Sequence, residues 1–447
     1  MKTRLAGPQL IVWSCCLGML AIGINGTAIM TALPTMRREL GLDGRQVEWA
    51  VNAYLLAAAA CVMLGGAITD RAGATRVSMA GLLLFALASA SIALAQTADA
   101  LLLGRTLQGL GAALSVPSTL AAISMASASD RRAAVIGAWA GALLLGFSIG
   151  PLIGGVVTHL VGWRFIFWAN GSVILLAACG LLTAKPQRVV QTAVRHSFDR
   201  LGFAYLAATM IAIILALQGL ADVDQAPLRL IIPLGLAILF AQLFSRQERS
   251  RPDPLVAFSL FDTPAFRPAL IIATSAMFCI LPLLLFFNLD AQRQDGLGLN
   301  AIEAGAMLLP LSAGLLAFAL LAPRLTSKLG MRYAIRAAML LVVAAAAGVA
   351  LAYITRSLAG LALSLFLIGA GLAVPYAIAP RLALAGIPGP QAGQGSGIVN
   401  SCTLLGGSIG VTLGALAFER GGLPLVLAML AGAALIGFLA VAQLPAD

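Results

Sequence analysis

Long uncharged runs decide what this chain can become. Windows of about 20 or more mostly apolar residues recur along it, separated by short polar breaks. A bilayer core takes about 20 apolar residues per helix, and only helices or closed barrels satisfy their own backbone in lipid. Fourteen spans are expected, near 9–35, 46–69, 76–96, 100–127, 132–158, 163–184, 200–220, 228–245, 266–289, 302–325, 333–354, 358–384, 394–418 and 422–443. Composition agrees: 60% of the 447 residues are hydrophobic and only 10% charged. Soluble domains carry about 25% charged residues, so a soluble enzyme, a disordered chain and a nucleic-acid binder are excluded. The expected class is an all-α polytopic membrane protein whose main environment is the lipid bilayer.

Lys2 and Arg4 before the run from Gln9 to Pro34 imitate a signal peptide. That run is too long for one and lacks a small-residue cleavage site, so it reads as the first span. Cys15, Cys16, Cys61, Cys179, Cys279 and Cys402 lie in apolar stretches without metal or haem spacing. They read as small core residues, and no metal or cofactor is expected. His159 and His196 stand apart in polar breaks, so a catalytic triad or an intramembrane enzyme has nothing to assemble from.

The net charge of +11 is read by its distribution over loops. With both termini cytoplasmic, most of the 28 basic residues fall on that side, among them Lys2, Arg4, Arg71, Arg76, Lys185, Arg188, Arg195, Arg324 and Lys328. Inverting the chain would invert this positive-inside pattern.

An internal repeat organises the spans. Asp70-Arg71-Ala72-Gly73 after the second echoes Ser327-Lys328-Leu329-Gly330 after the tenth. Gly109 to Pro117 in the fourth echoes Gly369 to Pro375 in the twelfth, and Gly146-Phe147-Ser148-Ile149-Gly150 echoes Gly406-Gly407-Ser408-Ile409-Gly410. Three matches in one order imply two six-helix halves in parallel repeat, 1–184 and 266–447, with a linker at 185–265 carrying two more helices. Such repeats place a solute site near mid-membrane between the halves, opened to each side by rocking.

Four groups of residues are candidates for the mechanism. Gly66, Asp70, Arg71, Gly73 and Arg76 lie in the short second-to-third connection. Gly73 permits the sharp turn, and Asp70 can meet a helix end of the other half as a state-dependent latch. Arg105, followed by Gln108 and Gly109, is the one basic residue well inside a span; an intramembrane charge is functional by default. Gly137, Gly141, Gly146, Gly150, Pro151, Gly154 and Gly155 line the fifth span, where small residues let helices approach and Pro151 should bend the helix. Asn25, Asn52, Tyr54, Gln108, Tyr376 and Asn400 are polar groups expected to face a cavity.

Together these residues resemble the fourteen-spanner drug:proton antiporters of the major facilitator superfamily. Gly66 to Arg76 resembles motif A, Leu103 to Ala113 motif B, and Gly146 to Gly155 motif C, the antiporter signature. Trp163-Arg164-Phe165-Ile166-Phe167-Trp168-Ala169-Asn170 is similar to the branch's WRxxFxxN segment. The resemblance implies secondary export of drug-like compounds in exchange for protons, from the cell membrane, as a monomer or with a periplasmic adaptor. Three positions depart from the branch pattern: Asn25 stands where it has an aspartate, Ala74 where a basic residue is common, and Asn400 to Leu404 lacks an arginine. The acids nearest the apolar spans, Asp70 apart, are then Asp290 and Glu303, flanking an outer loop. Carboxyls in partly apolar mouths can titrate near neutrality, which makes Asp290 the candidate for proton coupling. The alternative is an uncoupled facilitator or importer of the same fold.

Overall fold

A computed structural model describes residues 7–128, 131–183, 199–223, 225–251, 254–385, 387 and 392–444. Lys2, Arg4, Lys185, Arg188, Arg195 and His196 lie outside the described residues. The chain divides into two compact units, one reaching to Phe198 and one starting at Asp199. The first holds α1 (Gly7–Leu40), α2 (Gly44–Ala72), α3 (Ala74–Ala93), α4 (Ala98–Ala126), α5 (Arg132–Val161) and α6 (Arg164–Thr183). The second holds α7 (Arg200–Gly219), α8 (Leu228–Arg249), α9 (Phe266–Ala291), α10 (Ala301–Met307), α11 (Leu309–Leu329), α12 (Met331–Ile354), α13 (Leu358–Leu384) and α14 (Ala392–Ala440). The two helices expected as a separate linker, α7 and α8, thus group with the second unit. Among the described residues there is no strand.

Thirteen of the described helical segments are long and apolar enough to cross a membrane, α10 and α11 counting as one. The shortest run 20 residues, about 30 Å of helix, enough for a hydrocarbon core. The last, α14, has 49 residues and would reach about 73 Å if straight. It breaks at Gly421 (φ −149°) and Gly422 (φ 61°), just before Pro424, between the windows expected at 394–418 and 422–443. The chain is a multi-pass membrane protein. On α8, Ile231, Ile232, Leu234, Ile238 and Leu239 are exposed, as lipid contact requires.

Local chemistry sets the element ends. Asp43 and Gln46 form a capping box on α2, at 2.7 and 3.0 Å, and Asn300 and Glu303 form another on α10. Each satisfies two helix-end donors. Glu303 is therefore a helix cap. Gly73, at φ 93°, turns α2 into α3, and Gly330, at φ 82°, turns α11 into α12; only glycine adopts such angles cheaply. His159, expected in a polar break, lies on the last turn of α5.

The repeat reappears in the packing inside each unit. In the first, α1 lies along α5 while α4 packs on α2 and α3; in the second, α9 lies along α14 while α13 packs on α11 and α12. A Cβ on Gly109 would strike the Tyr54 carbonyl, and one on Gly369 the Leu311 carbonyl. Gly111 lies against the Gly81 carbonyl and the Phe85 nitrogen, and Gly371 against the Ala338 carbonyl and the Val342 nitrogen. These contacts make Gly109 equivalent to Gly369. The prolines Pro117 and Pro375 then fall two positions out of register, so the glycines are what the repeat preserves.

Candidate functional site

The strongest polar cluster forms inside the first unit, where α4 packs on α1, α2 and α3. Arg105 and Gln108 stand three residues apart on α4, and so on one face. Arg105 is buried, only 1% exposed, so it does not snorkel to an interface. Its Nε donates to the Ala50 carbonyl at 2.7 Å, and its Nη1 to Asn25 Oδ1 at 3.1 Å and Gln108 Oε1 at 2.8 Å. The Tyr54 ring lies beneath it, 4.5 Å from the guanidinium carbon, a cation–π contact. Gln108 Nε2 in turn donates to Ser89 Oγ at 2.8 Å, and Ser89 Oγ to the Phe85 carbonyl at 2.8 Å.

Every one of these Arg105 partners is a neutral dipole or a ring. Neutral groups lower the cost of a buried charge without cancelling it, and an uncompensated buried ion costs several kcal/mol. A second deficit sits beside it. Asn25 Nδ2 is buried and finds no hydrogen-bond partner among the described residues, which costs about 1–3 kcal/mol. The structure thus gathers Asn25, Tyr54, Arg105 and Gln108 from the sequence candidates. It adds the Ala50 carbonyl and Ser89, which no motif marked because they approach from other helices. Asn52 is buried on α2; Tyr376, partly buried on α13, and Asn400, exposed on α14, belong to the second unit.

The antiporter-like segment of α5 is a second feature. Pro151 has no N–H, so the Phe147 carbonyl one turn earlier loses its helical partner. Thr27 Oγ1 on α1 donates to that carbonyl at 3.0 Å, and Thr31 Oγ1 donates to the Pro151 carbonyl at 3.2 Å. The helix runs through the proline from Arg132 to Val161, and α1 supplies the missing donor. Gly146 sits on the Leu20 carbonyl, Gly150 on Thr27 and the Ile24 carbonyl, and Gly154 on the Ala28 carbonyl, each too close for a Cβ. Gly137 and Gly141 face open space, so the expected glycine line divides into a packed seam and a loose start.

Asp290, expected beside a loop, lies in the last turn of α9, which continues to Ala291. It is buried, 8% exposed, and accepts a hydrogen bond from the Tyr353 hydroxyl of α12. Arg293 nearby is engaged by Asp295 at 2.9 and 2.5 Å. Tyr353 carried no sequence signal, since its pairing with Asp290 joins distant parts of the chain.

At the α2–α3 turn, Asp70, Arg71 and Arg76 are exposed. Gly66 has open space around it, whereas its neighbour Gly65 packs against the Ala113 carbonyl. The WRxxFxxN-like segment fastens helix ends. Glu39 accepts from Trp163 Nε1 at 2.8 Å and from Arg164 at 2.7 Å, and Arg164 also donates to the Ala95 carbonyl at 3.2 Å. Among the described residues, no group of three His, Cys, Asp or Glu side chains could hold a metal.

Comparison with known proteins bears on this geometry. The family profile described as Major Facilitator Superfamily matches residues 15–411. The tetracenomycin C resistance and export protein of Streptomyces glaucescens is 27% identical over 91% of this chain and 75% of its own length. The puromycin resistance protein of Streptomyces alboniger is 31% identical over 88% of this chain and 78% of its own. The crystal structure of the human organic anion transporter MFSD10 (TETRAN) superposes with a TM-score of 0.68 at 17% identity, covering 97% of this chain and 99% of that one; that likeness shows the fold.

Proposed function

The chain belongs to the Major Facilitator Superfamily, whose members are transporters of small molecules and not enzymes, and we propose that it exports amphipathic, drug-like compounds in exchange for protons. The export reading draws its support from relatives named for resistance and export across most of this chain's length. It works by alternating access in the cell membrane, with both termini cytoplasmic, as the loop charges favour. The repeated halves are six-helix bundles at 1–184 and 266–447, with the segment 185–265 between them in sequence, although its helices α7 and α8 group with the second unit.

The roles follow from the chemistry of each group. The α1–α5 seam acts as a joint: glycine contacts let two backbones slide closely, and Thr27 keeps the Phe147 carbonyl satisfied as they do. Asp70 with Arg71, Gly73 and Arg76 forms a latch that one state makes and the other breaks. Asp290 carries the exchanged proton, and the Tyr353 hydroxyl is the partner it releases or regains. The test is substrate-dependent proton movement in proteoliposomes, comparing native protein with Asp290→Asn. Native protein is expected to couple the two flows and Asp290→Asn to transport without moving protons. Solute flux that persists unchanged in native protein after collapse of the proton gradient would instead establish an uncoupled facilitator, the reading that Asn25 favours.

A further inference from the structure

We propose that Arg105 and Asn25 together hold the negatively charged group of the transported compound, so that the preferred solute is an amphipathic carboxylate. This rests on the transporter reading above and narrows it to a substrate class.

Two independent deficits point the same way. Arg105 is enclosed by the Ala50 carbonyl, the side-chain oxygens of Asn25 and Gln108, and the face of Tyr54, none of which brings a negative charge. Asn25, on the opposing helix, has its amide nitrogen buried with no acceptor among the described residues. One site therefore lacks a negative charge and also lacks a hydrogen-bond acceptor. A carboxylate supplies both, since each of its two oxygens accepts, one from Arg105 and one from Asn25. Gln108 offers no such vacancy, because its oxygen accepts from Arg105 and its nitrogen donates to Ser89.

The same geometry discriminates against the other charge class. A cationic solute would meet a desolvated guanidinium and a buried, unpaired amide donor, and both repel it. Entry needs one neutral contact to open. The Arg105–Asn25 bond, at 3.1 Å, is the longest of the three that Arg105 makes, and opening it frees a guanidinium N–H beside the Asn25 amide N–H that already has no acceptor. Aspartate at position 25 would fill the site from within, pairing with Arg105 and replacing the orphan amide. Asn25→Asp is therefore a variant that removes the proposed site while removing a structural deficit.

The experiment uses the purified full-length chain in a neutral detergent and chloride-free buffer, with three probes of one shape: 1-naphthoate, 1-naphthamide and 1-naphthylmethylammonium. Binding is read by isothermal titration and by the shift in thermal unfolding. Native protein is expected to bind naphthoate at least tenfold more tightly than the amide or the cation. Asn25→Asp is expected to unfold at higher temperature and to lose that preference. Equal binding of the three probes, or a preference that survives in Asn25→Asp, overturns the proposal. Stabilisation by chloride alone equal to that by naphthoate also overturns it, assigning the site to a small inorganic ion. Because binding is read without transport, these outcomes leave the export reading standing, and failed export with intact naphthoate preference would count against that reading alone.

Discussion

The two units share a packing scheme and differ sharply at one place in it. Gly150 lies on the Ile24 carbonyl and Gly410 on the Phe278 carbonyl, which makes Asn25 equivalent to Cys279. By the glycine contacts of α4 and α13, Tyr54 answers to Leu311, Ser89 to Ala346, Arg105 to Leu365 and Gln108 to Ile368. All five second-unit residues are buried and apolar or weakly polar. One backbone arrangement thus carries a charged, partly unsatisfied node in the first unit and an ordinary core in the second. An apolar core at those positions is evidently compatible with the helix packing. The polar node is therefore not what the fold requires, and its cost points to function.

The largest expected effect comes from breaking that difference in one step. Arg105→Leu removes the buried charge but strips the Ala50 carbonyl and the Asn25 and Gln108 side chains of their shared donor, and the buried acceptors left unmet should cost about 1–3 kcal/mol each. Adding Asn25→Cys and Gln108→Ile copies three of the five second-unit residues and should recover most of that loss in a denaturation titration while solute transport stays abolished. Failure of the triple variant to recover would mean that the units are not equivalent there.

A smaller effect is expected at the glycine seams. Gly150→Ala and Gly410→Ala each force a methyl into a backbone carbonyl or a threonine hydroxyl and should each lose about 1–3 kcal/mol by overpacking. Gly137→Ala, facing open space, should leave the midpoint of unfolding unmoved. Similar losses at all three positions would show that glycine count, and not contact, governs these helices.

Smaller again is the bridge that the second unit lacks. Thr27→Val leaves the Phe147 carbonyl without its donor and should cost about 0.6 kcal/mol, the average for hydrogen bonds between membrane helices, and at most about 1.7 kcal/mol. Thr27→Ser should retain most of the stability. Tyr353→Phe should lower stability least, yet shift the pH midpoint of proton-coupled flux, because it removes the hydroxyl that Asp290 accepts from. An unmoved midpoint would separate Asp290 from coupling.

Much of this was legible in the chain because its information is local. Uncharged windows found the helices, and the turn glycines Gly73 and Gly330 announced their strained angles by residue type alone. Arg105 and Gln108 could be placed on one face by their spacing. What stayed hidden was which groups of other helices meet: Asn25 and Tyr54 were candidates without an assigned partner, and other partners carried no mark at all. The Ala50 carbonyl has no residue identity to read, Ser89 is one serine among several, and Tyr353 lies 63 positions from the acid it bonds. Asp290 was expected to flank the loop after the ninth span and does so from the last turn of α9, which runs one residue further to Ala291; its burial against Tyr353 was not legible. The repeat was detected from glycines and prolines together, but contact geometry keeps only the glycines, because those are where backbones touch.

The decisive measurement is the movement of 1-naphthoate and 1-naphthylmethylammonium in proteoliposomes under an imposed pH gradient, with native protein and Asn25→Asp side by side. Native protein should carry naphthoate severalfold faster than the cation, in a gradient-dependent manner, and Asn25→Asp should erase or reverse that order. Equal rates for both probes in both proteins, or no flux above protein-free vesicles, would contradict a transporter whose buried arginine selects the charge of its solute.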